Sequence, residues 1–280
     1  MNIYQSLHSA FLFAASRRRA AALEGRDEEQ RLWIQVNRYR DFIMETGQIY
    51  LLEDYLTGVA PTSRPSVSTA LGARQDTTSQ RVMALLLKAF DETPESEQKQ
   101  SVSLLINQVN FIADTGQLED CEDYIHNRLD HAPIAIAHFT THEEAEVWLK
   151  GLAEPPSPAS ILIGDEYHQM WYDREDNTRG MYRDYKIEPY VEGLVAEGIH
   201  PNPLSFKTRA EAEAWLENHP TDSFGFVSIA GELYLAVHHK RLKRHTLHHV
   251  ASTLTEWEKH KRAVEREQAQ EESTTEGEDE

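Results

Sequence analysis

The chain has 280 residues, 40% of them apolar, and its 47 acidic and 28 basic side chains give a formal net charge of −19. A surface this acidic repels nucleic-acid phosphates and anionic membranes, which disfavours both as partners and favours a basic protein. The one cysteine, Cys121, excludes an internal disulfide and a cysteine-rich zinc site, and no apolar run approaches the ~18 residues of a membrane span.

The first predicted helix covers residues 3–23, where apolar residues recur at helical spacing. Its apolar stretch, residues 10–15, precedes the three arginines at 17–19, which is the reverse of the order in a secretory signal. We therefore expect a cytoplasmic protein. A second helix is predicted to begin near Asp27.

A helical unit is duplicated in the N-terminal half. Residues 42–56 (FIMETGQIYLLEDYL) and 111–125 (FIADTGQLEDCEDYI) align without a gap, and both contain F-I-x-[DE]-T-G-Q-x4-E-D-Y. In each copy a helix is predicted to end at Thr-Gly, where glycine takes a left-handed conformation, and a short helix follows. We predict a helical region over residues 1–130, with copies around 27–58 and 96–130 and a flexible linker at 60–80.

The acidic pairs of this repeat, Glu53-Asp54 and Glu122-Asp123, invite an acid–base interpretation. Adjacent residues on a helix point about 100° apart, so the two carboxylates of a pair do not converge. A solvated helix face is the preferred interpretation.

A second duplication occupies the C-terminal half. Residues 139–149 (FTTHEEAEVWL) and 206–216 (FKTRAEAEAWL) share F-x-T-x-x-E-A-E-x-W-L. Each copy is predicted to open its helix with a capping box, Thr141 with Glu144 and Thr208 with Glu211. An apolar segment precedes each helix, and a hairpin around a glycine turn follows it, at residues 160–172 and 224–238.

The fold class that follows is α+β. Residues 131–249 are predicted to form tandem β-α-β-β units in one mostly antiparallel sheet with helices on one face. A C-terminal helix at 250–266 and a disordered acidic tail at 267–280 complete the prediction.

The two repeat patterns in this order resemble a myxobacterial paralogous family of unknown function, over about residues 80–249. The shared motifs are caps, turns and packing aromatics. The resemblance therefore implies a domain organisation and implies no activity.

The most conspicuous polar segment is residues 238–249 (HHKRLKRHTLHH). His245 and His249 have the i,i+4 spacing of a metal pair on a helix, but the neighbouring basic residues oppose a cation, so no metal is predicted. The segment either lies against the acidic remainder of the chain or contacts a partner. The candidate partner-binding residues are His238, His239, Lys240, Arg241, Lys243 and Arg244.

No catalytic or cofactor motif is present, so we predict neither catalytic residues nor a cofactor. Cys121 lies among acidic neighbours, which disfavours a reactive thiolate. Tyr167, Trp171 and Tyr172 either line a ligand groove or pack a core.

Three hypotheses follow. The leading one is a non-catalytic cytoplasmic interaction protein, in a specific form an immunity-type protein, that presents an acidic surface to a basic protein partner. The others are an enzyme with an unrecognised site in the C-terminal domain and a self-associating structural protein. The sequence leaves the oligomeric state open.

Overall fold

The chain folds as two compact units in a computed structural model, which describes residues 2–58, 65–73, 77–128, 130–198, 202–219 and 223–276. The first unit comprises Met1–Arg128, Leu149–Ala159 and Met170–Gly180. The second unit comprises Leu129–Trp148, Ser160–Gln169 and Met181–Glu280. The α+β class predicted from the sequence is confirmed. Two segments from within the predicted 131–249 domain belong to the first unit.

The helices of the first unit repeat as two sets of three. The described helices are α1 (Ile3–Leu23), α2 (Asp27–Glu45), α3 (Ile49–Thr57), α4 (Thr78–Glu92), α5 (Ser96–Asp114) and α6 (Leu118–Asn127). The offset of 69 residues that separates Gln48 from Gln117 also relates the bounds of α2 to those of α5. Because α1 packs on α2 and α4 packs on α5, each copy includes one helix that lies before the predicted copies at 27–58 and 96–130.

Both long helices end in the same glycine turn. Gly47 and Gly116 take left-handed φ angles of 71° and 73°. The amide of Gln48 donates to the carbonyl of Ile43, and that of Gln117 donates to the carbonyl of Ile112, both at 2.9 Å. This pattern satisfies the last carbonyls of α2 and α5 and confirms the predicted helix ends.

The two copies meet across a pseudo-two-fold axis that passes between Gln48 and Gln117. Each side-chain amide donates to the carbonyl oxygen of the other at 2.8 Å. Tyr55 donates to Asp114 at 2.7 Å, and its counterpart Tyr124 donates to Glu45 at 2.8 Å. Residues of the repeated motif therefore form the interface between the two copies.

Part of the predicted 60–80 linker is anchored on α5. Asn110 accepts the amide of Ser68 at 2.9 Å and donates to the carbonyl of Ser66 at 2.7 Å. A 3-10 helix, Thr69–Ala73, follows, and Thr77 caps α4. Residues 60–64 and 74–76 of this prediction lie outside the described residues.

The strands form two four-stranded sheets in the described chain, where the sequence predicted one. Their orders are β1-β2-β3-β4 and β5-β6-β7-β8, and β1 and β5 pair in parallel with β2 and β6. The strands are β1 (His138–Phe139), β2 (Ala159–Ile163), β3 (Glu166–Asp173), β4 (Thr178–Arg183), β5 (Leu204–Phe206), β6 (Phe224–Ile229), β7 (Glu232–His239) and β8 (Arg244–His249). The remaining helices are α7 (His142–Gly151), α8 (Glu188–Glu197), α9 (Arg209–Asn218) and α10 (Val250–Glu276).

Each C-terminal repeat is longer than its sequence motif. A fourth strand and a further helix follow each predicted β-α-β-β unit, so the repeat is β-α-β-β-β-α. The added strands β4 and β8 carry mixed polar sequences, TRGMYR and RHTLHH, without the alternation that predicts a strand. They form because each completes an edge of its sheet.

The sequence predicts helices on one face of the sheet, and this prediction is wrong: helices of the second unit pack on both faces of the second sheet. Ala212 and Leu216 of α9 pack on one face of the second sheet, with Ala236 and Leu247. Leu235 and Val237 point to the other face, where they join a core with Val191 of α8 and Val250 of α10. Alternate residues of β7 thus contact different helices, as the pleat of a strand requires.

The predicted helix caps of the second unit form with a small change. The hydroxyls of Thr141 and Thr208 accept the amides of Glu144 and Glu211, both at 3.2 Å. The carboxylates reach one residue further back than predicted, to the amides of Thr140 and Lys207, both at 2.9 Å. Each helix start is therefore capped twice, by the threonine that precedes the helix and by the glutamate in its first turn.

The C-terminal helix α10 runs from Val250 to Glu276 and includes residues 267–276, where the sequence predicted no structure. Residues 277–280 of that predicted tail lie outside the described residues. No helix in the described ranges is long and apolar enough to cross a membrane.

Candidate functional site

The predicted partner-binding segment is a hairpin in the second unit. His238 and His239 end β7, a 3-10 helix covers Lys240–Leu242, and Lys243 turns the chain with a φ of 50° into β8. Lys240, Arg241 and Lys243 are exposed at this turn. The cations and the buried histidines of the segment are therefore separated along the hairpin.

His245 and His249, whose i,i+4 spacing would suit a metal pair on a helix, lie on a strand. Four residues along β8 span about 13 Å, which is too far for two ligands of one ion. His245 stacks on His238 with ring centroids 4.6 Å apart, and His249 contacts Ser252 at 3.0 Å. The residues that the structure describes contain no group of three or more side chains able to hold a metal.

Two other histidines of the segment form a buried chain of hydrogen bonds. Tyr167 donates to the carbonyl of Pro133 at 2.8 Å, so its oxygen accepts from Nδ1 of His239 at 3.3 Å. Nε2 of His239 then accepts from the hydroxyl of Thr246, whose oxygen accepts from Nε2 of His248, both at 2.9 Å. Every contact has one donor and one acceptor in this assignment, with both imidazoles neutral.

The burial of these rings explains their protonation. His239 is 4% exposed and His248 is 7% exposed. Loss of hydration lowers the pKa of His239 to about 3 and that of His248 to about 4, because a charged imidazole is penalised away from water. His239, one of the predicted partner-binding residues, is therefore buried in a core and packs there.

The other sequence candidates are also used in packing. Cys121 is fully buried, and burial raises the pKa of its thiol far above the usual range. Tyr167 and Tyr172 are buried, whereas Trp171 is 41% exposed and lies over Gly180. The aromatic residues of β3 thus contribute mainly to cores, and Trp171 lies at the surface.

The first unit contains an arginine clamp that sequence reasoning missed. Arg174 contacts both carboxylate oxygens of Asp54 at 2.8 and 3.0 Å, Glu154 at 2.8 Å and Glu53 at 3.2 Å. Its guanidinium lies 4.6 Å from the ring centroid of Tyr50. The hydrogen bonds from Arg174 lower the pKa of Asp54, since they favour its charged form.

The clamp joins the acidic pair of the first copy to an arginine that is far away in the sequence. The prediction of a solvated face whose carboxylates do not converge is wrong for this copy, because Glu53 and Asp54 contact the same guanidinium nitrogen of Arg174, at 3.2 and 2.8 Å. The duplicated Glu-Asp pair was the only sequence signal for this contact. Arg174 itself stands among polar residues with no motif around it.

The second unit has an open groove between α8 and α10. Val195, Ala196 and Leu254 form its apolar part, and Glu192, Glu258 and Arg262 are among its charged residues. Glu192 accepts hydrogen bonds from Trp257 and Lys261, both at 2.8 Å. Nothing in this groove places two reactive groups against each other.

No family model matches the sequence, and no curated protein or solved structure matches it. The resemblance to a myxobacterial paralogous family stays a prediction.

Proposed function

We propose that this is a non-catalytic cytoplasmic interaction protein that presents an acidic surface to a basic protein partner. In a specific form of the proposal it is an immunity-type protein, which masks the basic active site of a toxin such as a nuclease. A site that binds nucleic-acid phosphates carries positive charge, so an acidic surface complements it.

The arginine clamp is the observation that carries the proposal. Glu53 and Asp54 of α3 hold the guanidinium of Arg174 with three oxygen contacts of 3.2 Å or less, and Glu154 adds a fourth. Charge-assisted, bidentate contacts of this kind are stronger than neutral hydrogen bonds. The repeat thus already binds a cationic side chain within its own chain.

The distribution of charge supports the same proposal. Many arginines form ion pairs within their own unit, namely Arg26, Arg81, Arg128, Arg174, Arg183 and Arg209. The chain has 47 acidic side chains against 28 basic ones. Among the carboxylate residues whose burial the structure describes, Glu188 alone is buried. Glu119, Asp120, Glu143 and Glu217 are exposed examples from both units.

An enzyme would draw on the titratable groups of the second unit. The strongest candidates, His239 and His248, are 4% and 7% exposed and are joined to each other through Thr246. A general base must reach the proton that it removes, and these rings are engaged inside a core. This geometry favours the interaction proposal over the enzyme hypothesis.

The test is capture of partners from the native organism on the tagged full-length protein. Washes at about 50 mM and then about 500 mM NaCl separate contacts between exposed charges, which are screened by salt, from apolar ones. We expect one stoichiometric basic protein, released by salt, and a loss of capture when Glu119, Asp120, Glu143 and Glu217 are all replaced by lysine. Absence of such a protein at low salt, or capture that salt does not weaken, would count against the proposal.

The immunity-type form needs a further measurement. The captured partner is purified and assayed for nuclease activity with and without the protein. Inhibition at equimolar protein supports that form, and a partner with unchanged activity refutes it.

A further inference from the structure

The two copies of the glycine turn have the same conformation and different surroundings. Thr46 is 6% exposed and Ile49 is fully buried, whereas the counterpart of Thr46, Thr115, is exposed and Leu118, the counterpart of Ile49, is half-buried. The glycine φ angles differ by only a few degrees, at 71° and 73°. The first turn is therefore covered by other described residues of the chain, and the second turn is more exposed.

An extended segment of the first unit, residues 156–159, covers the first turn. The amide of Ser157 donates to the carbonyl of Gly47 at 3.0 Å, and Ala159 forms a main-chain bridge with Thr46. A Cβ added to Gly47 would lie 2.6 Å from Cβ of Pro156 and 2.9 Å from that of Ala159. The absence of a side chain at Gly47 is therefore what lets the segment approach.

The second turn offers the same close approach to a segment that is not bound there. A Cβ added to Gly116 would have no atom of the described residues within 4 Å. Two neighbours also change between the copies, since Tyr50 and Leu51 of the first copy are replaced by Glu119 and Asp120, which are both exposed. The second turn therefore combines an approachable main chain, a half-buried Leu118 and negative charge.

We propose that Thr115–Leu118 binds an extended, proline-containing segment of the basic partner, in the way that the first turn binds residues 156–159. This inference rests on the proposed function. The first copy binds its segment through main-chain contacts and packing, and it has no charge at the positions of Glu119 and Asp120. The two carboxylates of the second copy therefore add a preference for a lysine or arginine next to the proline, because opposite charges attract.

The probe is a peptide of residues 154–160 of this chain with Glu154→Arg, acetylated and amidated to remove its terminal charges. Binding to the isotopically labelled full chain is followed through the amide resonances of Gly116 and Gln117. We expect saturable shifts at these residues, with a Kd of about 1 mM or lower, and none at Gly47. No saturable shift at Gly116 up to about 5 mM peptide overturns the proposal.

Gly116→Asn tests the mode of binding. Asparagine tolerates the left-handed conformation better than other residues with a side chain, and its Cβ has free space in the unbound protein. A docked segment would meet that Cβ, as Pro156 would meet one at Gly47. We expect peptide binding to be lost while the rest of the amide spectrum is kept, and binding equal to that of the wild type would refute the assignment.

A matched pair of charge reversals tests the electrostatic part. Asp120→Lys is expected to weaken peptide binding about fivefold, the size expected from an exposed charge contact. Glu197→Lys makes the same change of charge at an exposed position at the end of α8, in the second unit, and should leave binding unchanged. Equal effects of both variants would indicate net charge alone and would overturn the site.

The same variants separate this inference from the proposed function. If the wild type, Gly116→Asn and Asp120→Lys proteins all capture the same basic partner, the proposed function stands and the turn is not its site. If the wild type captures no partner, the proposed function fails, whatever the peptide does. If the wild type self-associates and Gly116→Asn is monomeric, the occupant is a second copy of this chain, and the assignment to a partner is wrong.

Discussion

Acid should destabilise the second unit through the buried chain of Tyr167, His239, Thr246 and His248. The pKa of His239 is lowered from 6.5 to about 3 and that of His248 from 6.5 to about 4, both mainly by burial. Below pH 6.5 the unfolded chain therefore binds protons that the folded chain does not. Stability is fully present above that pH and falls as the pH drops towards the folded values.

The magnitude follows from linkage. Each histidine that stays neutral in the fold costs about 1.4 kcal/mol for every pH unit below its unfolded pKa. At about pH 5 this amounts to about 2 kcal/mol for each ring, or about 4 kcal/mol for the two together, as an upper limit because the rings share Thr246. Such a loss is a large part of the stability of an ordinary domain.

The first measurement is the free energy of unfolding in urea, at about pH 7 and at about pH 5. Hydrogen exchange with mass spectrometry of peptides from residues 232–249 then shows whether the loss of stability lies in this hairpin. The double variant His239→Asn, His248→Asn removes both titrating rings, and His8→Asn removes an exposed histidine as the control. We expect the double variant to lose much of the pH dependence, whatever its absolute stability. The same change in unfolding free energy in the wild type and the double variant would refute the reasoning.

Three further predictions concern the first unit. Gly47→Ala should cost about 2 kcal/mol or more and release residues 156–159 to limited proteolysis, because its Cβ would lie 2.6 Å from that of Pro156. Gly25→Ala, with a φ of 69° but open space around it, should cost only about 1 kcal/mol, so equal losses in melting experiments would argue against the clash. Tyr124→Phe should cost about 1 kcal/mol in urea unfolding, since it removes a hydrogen bond that Glu45 accepts alongside its contact with Arg128. It should cost more than Tyr55→Phe, because Tyr124 is only 7% exposed, and the reverse order would contradict this. Alanine at Gln48 and Gln117 should show a double-mutant coupling of about 1 kcal/mol, and additive effects would mean that the amide pair contributes nothing.

Much of the secondary structure could be predicted from the sequence because its signals are local. The Thr-Gly turns, the Thr–Glu caps and the two glycine hairpins each depend on a few neighbouring residues, and all of them form. The strands β4 and β8 were missed because their place in the fold depends on hydrogen bonds with β3 and β7, which a mixed polar sequence does not reveal. The split into two sheets arises because the strands pair within each repeat, and local sequence signals do not show whether two repeats share one sheet.

The candidate sites were harder to predict because each depends on residues far apart in the chain. His245 and His249 suggested a helical metal pair, but the strand pairs His245 with His238 and carries His249 to the far end of β8. Arg174 meets Asp54 across 120 residues, and no pattern in the sequence links the two. The contrast between Gly47 and Gly116 is invisible in two identical Thr-Gly-Gln motifs.

The contact between Gln48 and Gln117 has a consequence for the symmetry of the first unit. A residue can touch its own counterpart only on the axis that relates two copies, and such self-pairing is the mark of an isologous interface. The two three-helix copies thus have the geometry of an isologous homodimer within a single chain. Because both halves belong to one chain, they are free to differ, and among the described residues only the first is covered by residues 156–159.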